Sequence, residues 1–204
     1  RCCPVVGDEA RCFNAVLFCC RLSLGAIRLE LARMCELTKN EIMDGLGELG
    51  VRSRDVMLVH SAMRTMGRVK GGASTVVDAM LEILTPSGTL VTPTFTFAHE
   101  AEDNPVIDPA VDRSEMGILT ETVRLHSQAR RSTAFRHSFA AIGRRATVIT
   151  DIDTSLSAFD LRSSFGVMLA LNTQVLLMGV TYSSSTSHHF AEFISDVPYR
   201  QTLP

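Results

Sequence analysis

The stretch VMLVHSAMRTMGRVKGGASTVVDAMLEIL, residues 56–84, decides the fold. It begins with the apolar run 56–60, which is typical of a buried strand. It ends with residues 73–84, where apolar side chains recur at the spacing of one helix face. A turn at 86–88 then leads to a second apolar run at 89–92. A strand, a helix and a further strand in this order predict a layered α/β domain with a largely parallel sheet.

The remainder of the chain continues this alternation. Thr38-x-x-Glu41 is a capping box in front of an amphipathic helix that is predicted to stop at Gly50. The further predicted elements are a helix at 117–126, short apolar stretches at 139–142 and 146–149, a helix at 167–171, a buried strand at 174–180 and a helix from about Ser187. The predicted fold class is therefore an α/β layered sandwich around a central, mostly parallel sheet.

Composition places the chain among globular proteins. Its 204 residues are 46% hydrophobic and 21% charged, with a net charge of −2. No basic excess indicates a nucleic-acid partner. No uninterrupted apolar run reaches the roughly 18 residues of a membrane span. The oligomeric state is left open.

The first 35 residues differ from the rest because they contain all six cysteines. The cysteines form no Cys-x-x-Cys pair, and no histidine follows them at zinc-finger spacing. We therefore expect free thiols in a reduced, cytoplasmic compartment and no metal site. A metal or redox role of these thiols is a competing hypothesis. Residues 1–35 are interpreted as an N-terminal extension and 36–204 as the functional domain.

A polar loop, residues 61–72, joins the first predicted strand to its helix. Its three glycines permit close backbone approach, and the helix that follows offers free N–H groups to an anion. Arg64, Arg68 and Lys70 add positive charge. The pattern predicts a cradle for a phosphorylated or extended cofactor, although an ordinary strand-to-helix connection would also explain it. It matches neither a Walker A loop nor a G-x-G-x-x-G fingerprint.

A second candidate site follows the strand at 174–180, where hydroxyl residues lead into a helix that carries His189 and Glu192. Positions i and i+3 share a helix face, and a carboxylate beside an imidazole fixes its tautomer and supports its action as a base. The positive end of the helix disfavours the imidazolium form. Ser185, Thr186 and Ser187 either cap the helix or supply a donor to a developing oxyanion.

An acidic segment lies between the two candidate sites. Its carboxylates are Glu100, Glu102, Asp103, Asp108, Asp112 and Glu115. Such a run is either a solvated surface or, if it lines a cleft, an attractive field for a cationic amine.

Residues 37–204 resemble the aminoglycoside 3-N-acetyltransferase family. Four segments match its motifs in order: GVRSRDVMLVHSAMRTMGRVKGGASTVVDAMLEILTPSGTLVTPTFTF at 50–97, IDPAVDRSEMGILTETVR at 107–124, RRSTAFRHSFAAIG at 130–143 and VLLMGVTYSSSTSHHFAEF at 175–193. The resemblance implies a three-layer α/β fold distinct from that of the GNAT acetyltransferases. It implies acetyl-CoA as co-substrate, no metal, and an aminoglycoside or similar small amine as acceptor.

The resemblance also implies roles for individual residues. His189 would be the general base, Glu192 would orient it, and Thr186 would lie near the acyl oxygen. The residues implied in coenzyme A binding are His60, Ser61, Ala62, Met63, Arg64, Thr65, Gly67, Val69, Gly71, Gly72 and Ser163.

The chain departs from the family pattern at several positions. Ala62 replaces a serine of the His-Ser-Ser loop, Ala134-Phe135 stand where relatives often have His-Pro, and Ser163-Ser164 replace a Ser-Pro pair. Relatives continue beyond the point that matches Pro204, so we expect a C-terminally shortened member. These departures keep an alternative open, which is a CoA-binding or partner-binding homologue with impaired catalysis.

Overall fold

The computed structural model describes residues 15–17 as backbone, and 36–84, 86–97 and 107–200 in full. The helices are α1 (Lys39–Glu48), α2 (Gly72–Leu84), α3 (Ile118–Arg124), α4 (Ala146–Thr150), α5 (Ser164–Ala170) and α6 (Ser187–Ile194). The strands are β1 (Ala15–Leu17), β2 (Val56–Ser61), β3 (Thr89–Pro93), β4 (Arg130–Arg131), β5 (Phe139–Gly143) and β6 (Gln174–Met178). Short 3₁₀ turns occupy Met63–Thr65 and Tyr182–Ser184.

The six strands form one sheet in the order β1-β6-β2-β3-β5-β4. The pairs β1/β6, β6/β2 and β2/β3 are parallel, which confirms the predicted mostly parallel sheet. Strands β5 and β4 add an antiparallel edge that the sequence patterns did not predict. β1 lies within the segment 1–35 that we interpreted as an extension.

Glycine at 143 allows β5 to approach the start of β3. Gly143 has a φ of 124°, and a Cβ built on it would lie 2.3 Å from the carbonyl oxygen of Gly88. No side chain fits there without moving backbone, so the antiparallel pairing of Thr89 with Gly143 depends on this glycine.

Alternating side chains of the strands bury one apolar cluster on each face of the sheet. On one face, Met57, Val59, Leu176 and Met178 pack with buried residues of α1, α2 and α3. On the other, Val56, Leu58, Val175 and Leu177 pack with α4, α5 and α6. The fold therefore has three layers, with helices on both sides of the sheet, as predicted.

Local signals placed several elements correctly. Thr38 Oγ1 accepts a hydrogen bond from Glu41 N at 3.4 Å, and Glu41 Oε2 accepts one from Thr38 N at 2.8 Å, which confirms the capping box. The helix predicted from Ser187 begins there. The strand predicted at 174–180 ends earlier, at Met178, because Gly179 takes a positive φ of 71°.

Some predictions fall on residues outside the described ranges. These are the six cysteines of the N-terminal segment and the acidic residues Glu100, Glu102 and Asp103. Within the ranges described, none of the helices has the length and apolarity needed to cross a bilayer.

Candidate active site

The two predicted loops meet at one edge of the sheet, because the parallel strands β2 and β6 are neighbours and both loops follow their carboxyl ends. Ala62 N donates to Met178 O at 2.9 Å, and Thr65 Oγ1 lies 2.6 Å from Gly179 O, to which it donates. A Cβ on Gly179 would lie 2.2 Å from Thr65 Oγ1, so only glycine allows this contact. Crevices outside the carboxyl ends of parallel strands are where α/β proteins bind ligands.

Loop 61–72 is anchored from its other side by the residues that precede α1. Leu37 N donates to Arg68 O at 2.8 Å, and Lys70 N donates to Leu37 O at 2.9 Å. The Arg68 guanidinium pairs with Glu36 at 3.0 Å, so part of the predicted positive charge is neutralised. An open groove of about 460 Å³ adjoins the loop at the start of α2, lined by Thr38, Lys39, Asn40, Lys70, Gly71 and Thr75.

Two of the predicted CoA-binding residues lie outside loop 61–72. His60 belongs to β2 and is only 5% exposed, and its Nε2 atom is buried without a hydrogen-bond partner among the described residues. Burial, and secondarily the charge of His188, lower the pKa of His60 to about 4. Ser163 is the N-cap of α5 and accepts a hydrogen bond from Gly166 N at 3.4 Å. The other predicted residues, from Ser61 to Gly72, lie at the end of β2, in the loop or at the first residue of α2.

His189 and Glu192 form the predicted pair on α6. His189 Nδ1 lies 3.1 Å from Glu192 Oε2, with the imidazole side chain 60% exposed. Glu192 Oε2 also accepts a hydrogen bond from Arg200 Nη1 at 2.8 Å. The contact with His189, followed by the charge of Arg200, lowers the pKa of the Glu192 carboxyl, which therefore stays ionised.

This arrangement suits proton acceptance. A carboxylate at Nδ1 keeps the proton on that nitrogen and leaves the lone pair on Nε2. Among the residues described, none bonds to His189 Nε2, so its lone pair is left open.

The hydroxyl groups before α6 do not serve as its caps. Thr186 occupies the N-cap position with φ −64° and ψ −16°, and its side chain makes no capping bond. Ser187 Oγ is buried, and it has no hydrogen-bond partner in the described part of the chain. Of the two alternatives raised by the sequence, capping is therefore excluded for Thr186, and its hydroxyl remains available as a donor.

Two of the described carboxylates of the acidic segment accept hydrogen bonds from nearby backbone N–H groups. Asp112 Oδ2 accepts from Asp108 N at 2.7 Å, and Glu115 Oε1 accepts from Phe97 N at 2.7 Å. In residues 36–84, 86–97 and 107–200, no group of three His, Cys, Asp or Glu side chains is placed to hold a metal ion.

The sequence patterns did not single out His137. Its ring lies among Phe95, Phe159 and Phe165, with centroid distances of 5.1, 5.3 and 6.3 Å. These rings come from segments far apart in the chain, so no local spacing reveals the cluster. The only indication of His137 in the sequence is its position next to Ser138, which belongs to a family motif.

Comparisons with known proteins identify the family. The family model for aminoglycoside 3-N-acetyltransferase matches residues 58–204. Aminoglycoside N(3)-acetyltransferase IV of Salmonella sp is 31% identical over 164 residues, which are 80% of this chain and 62% of the relative. The corresponding enzyme III of Pseudomonas aeruginosa is 25% identical over 81% of this chain and 67% of the relative.

Solved structures show the same fold. The apoenzyme of aminoglycoside acetyltransferase AAC(3)-IVa superposes with a TM-score of 0.73 at 31% identity, covering 81% of this chain and 64% of that one. AAC-VIa bound to sisomicin gives 0.72 at 27% identity, over 78% and 65%. The chain thus has the α/β fold of solved aminoglycoside acetyltransferases. The chain belongs to the aminoglycoside 3-N-acetyltransferase family, and it spans about two thirds of the length of the curated relatives it matches.

Proposed function

We propose that this chain transfers an acetyl group from acetyl-CoA to an amino group of an aminoglycoside or a similar small amine, with His189 as the general base. The observation that carries the proposal is the His189–Glu192 contact on α6, at the edge of the sheet where loop 61–72 meets Gly179. Membership of the family supports the reaction class.

His189 Nε2 is the atom that takes the proton. As the acceptor nitrogen forms its bond to the acyl carbon, one of its protons passes to Nε2, and the carbon–sulfur bond of the thioester breaks. The imidazolium then returns the proton to the departing thiolate, so that protons balance. Glu192 stabilises the transient imidazolium through Nδ1, and Arg200 holds the carboxylate in place.

Thr186 is proposed to stabilise the charge that develops on the acyl oxygen. Its hydroxyl precedes α6 and makes no capping bond, so it can donate to that oxygen without leaving a helix N–H unpaired. The positive end of α6 favours negative charge at the same place.

Loop 61–72 is proposed to hold coenzyme A, which supplies the activated acetyl group. The groove beside the loop offers Lys39 and Lys70 together with the backbone of Gly71 at the start of α2, which suits phosphate groups. Lys39 also pairs with Glu82 at 2.5 Å, so Lys70 is the cation in the groove more open to an anion.

Aminoglycosides are proposed as acceptors because several structural neighbours bind them. Sisomicin occupies AAC-VIa, and AAC(3)-IVa carrying a histidine-to-alanine mutation was solved with apramycin and with a gentamicin. The described carboxylates of the acidic segment, Asp108, Asp112 and Glu115, would favour such polycations if they face the cleft.

Release of free CoA thiol tests the proposal. The purified chain is mixed with acetyl-CoA and with sisomicin, gentamicin, apramycin or simple amines. Release that requires both an amine and His189 supports the proposal, with His189→Ala as the inactive variant. His126→Ala is the matched control, because that imidazole follows α3 and, among the described residues, its ring bonds only to the nearby Gln128 N.

A negative result separates the two interpretations of the sequence. A folded chain that binds coenzyme A, yet releases no thiol with any amine, contradicts the enzymatic proposal and supports the CoA-binding or partner-binding homologue. Isothermal titration with coenzyme A supplies that measurement.

A further inference from the structure

His137 lies at the same edge of the sheet as the proposed base. It precedes β5, whose first residue, Phe139, pairs with Pro93 at the carboxyl end of β3. Thr94 N donates to Ser138 O at 2.8 Å, which fixes the segment beside the end of β3. Because β3 runs parallel to β2, this end of β3 lies on the side of the sheet where the candidate site is found.

Three phenylalanine rings surround the His137 imidazole, which is nonetheless not fully buried. Phe95 meets it edge-on, and Phe159 and Phe165 complete the wall. Burial, followed by the charges of Arg136 and His189, lowers the pKa of His137 to about 4. The ring is therefore neutral at neutral pH and carries one acceptor nitrogen. Within the described ranges, neither ring nitrogen makes a hydrogen bond, as the contacts of His137 are to aromatic rings.

The aromatic wall connects His137 to the helix that carries His189. Phe165 stacks on Phe190 with centroids 5.6 Å apart, and Phe159 contacts Phe193 at 6.0 Å. Both partners belong to α6. His189 is also near enough for its charge to act on His137. The aromatic residues that surround His137 therefore also contact α6, the helix that carries His189.

The same aromatic wall already accepts a cation. The Arg200 guanidinium carbon lies 5.1 Å from the centroid of the Phe159 ring. Phenyl faces attract cations through their negative quadrupole. A neutral imidazole beside such faces adds a directional acceptor for N–H groups, and this combination suits an ammonium ion better than an anion.

We propose that His137 binds the acceptor substrate: its free ring nitrogen accepts a hydrogen bond from the reacting ammonium or amino group and holds that group in front of His189. The inference rests on the proposed function and names a residue that the sequence patterns did not assign. Phe95 and Phe159 contact the His137 ring and would lie beside the bound amine.

His137→Phe tests this role because it keeps an aromatic ring in the cluster and removes the acceptor nitrogen. With sisomicin as acceptor, we expect KM to rise about tenfold, the effect of one hydrogen bond to a charged group. The Kd for coenzyme A and the thermal midpoint should stay close to wild type. His137→Gln retains an acceptor and should restore part of the lost affinity.

The pH dependence separates binding from proton transfer. Because His137 is neutral throughout the range from about pH 6 to 8, the His137→Phe profile of kcat/KM should keep the wild-type shape at a lower level. An unchanged KM for sisomicin in an active, folded His137→Phe variant would overturn the inference while leaving the proposed function intact. A wild-type chain that neither binds sisomicin nor releases CoA thiol would overturn both.

Discussion

Two polar clusters of this chain differ in how many of their donors and acceptors form hydrogen bonds within the chain. The first is the exposed pair His189–Glu192 on α6. The second, which we call the buried arginine network, lies beneath the acidic segment and consists of Thr94, Thr96, Glu121, Arg124, Arg131 and Ser138.

Most side-chain donors of the buried arginine network form hydrogen bonds within the chain. Arg131 donates to Thr94 O at 2.7 Å, to Thr96 Oγ1 at 2.9 Å, to Ser138 Oγ and to the carbonyl of Asp112. The Glu121 carboxylate accepts hydrogen bonds from Arg124 Nε at 2.8 Å and from Nη2 at 2.9 Å. Arg124 Nη1 donates to the carbonyls of Pro109 and Ala110. These contacts fasten segment 108–114 to α3 and to the sheet.

Several groups of the exposed pair and of the residues Thr186 and His137 are not hydrogen-bonded within the described part of the chain. His189 Nε2, the hydroxyl of Thr186 and the ring nitrogens of His137 have no hydrogen-bond partner among the residues that the structure describes. The contrast teaches that the motif residues of this family serve two ends. Those whose donors are satisfied by the chain hold the fold, and those left open are the residues for which we propose contact with a substrate.

Removing the buried carboxylate should give the largest effect. Glu121→Ala leaves the Arg124 side chain, which is 5% exposed, without its charge partner. We expect a loss of about 3–5 kcal/mol in the free energy of unfolding, measured by urea denaturation. A loss of less than about 1 kcal/mol would contradict the structural role that we assign to the network.

The conservative change in the exposed pair should act on catalysis instead. Glu192→Gln removes the charge that supports the His189 imidazolium, so kcat should fall about 10- to 100-fold. The urea midpoint should stay near wild type, because the side chain is 30% exposed. If stability fell and kcat did not, Glu192 would stabilise the fold rather than support catalysis, contrary to the distinction that we draw between the two clusters.

Acidification should weaken the folded state through His60. Its pKa of about 4 in the folded chain lies below the ordinary value of 6.5, so the unfolded chain binds more protons between these values. The free energy of unfolding should therefore fall as pH falls, by about 2 kcal/mol between about pH 7.5 and pH 5 from this residue alone. His60→Gln should show a shallower dependence, whereas equal slopes in the two proteins would contradict a buried neutral imidazole.

We expect the smallest change in stability from the loss of an exposed ion pair, which serves as the reference for the other substitutions. Lys39 and Glu82 lie 2.5 Å apart with side chains 38% and 55% exposed. Lys39→Ala should leave the urea midpoint within experimental error, because solvent screens such pairs. A shift comparable to that of Glu121→Ala would show that proximity, and not burial, sets the stability of this chain.

Local patterns predicted the parts of the fold and site that depend on neighbours in sequence. The capping box of Thr38 and Glu41 starts α1, and the i, i+3 spacing brings His189 to Glu192. Local patterns could not predict that the two loops meet. That meeting depends on the pairing of β6 with β2, two strands that are far apart in the chain. The family resemblance supplied that link.

The features that the sequence patterns did not reveal depend on distant contacts. The burial of His60 depends on the parallel neighbour that β2 has on each side. The His137 cluster joins rings from four separate segments, including Phe95, Phe159 and Phe165. Only tertiary packing brings such groups together, so periodicity carries no sign of them.

The most direct test of the account is a single-turnover measurement of acetyl transfer to sisomicin with acetyl-CoA already bound, in wild type and in His189→Gln. We predict an unchanged Kd for coenzyme A and a transfer rate that falls by about 100-fold or more, because only proton acceptance at Nε2 is removed. A transfer rate within about twofold of wild type would contradict the assignment of His189 as the base.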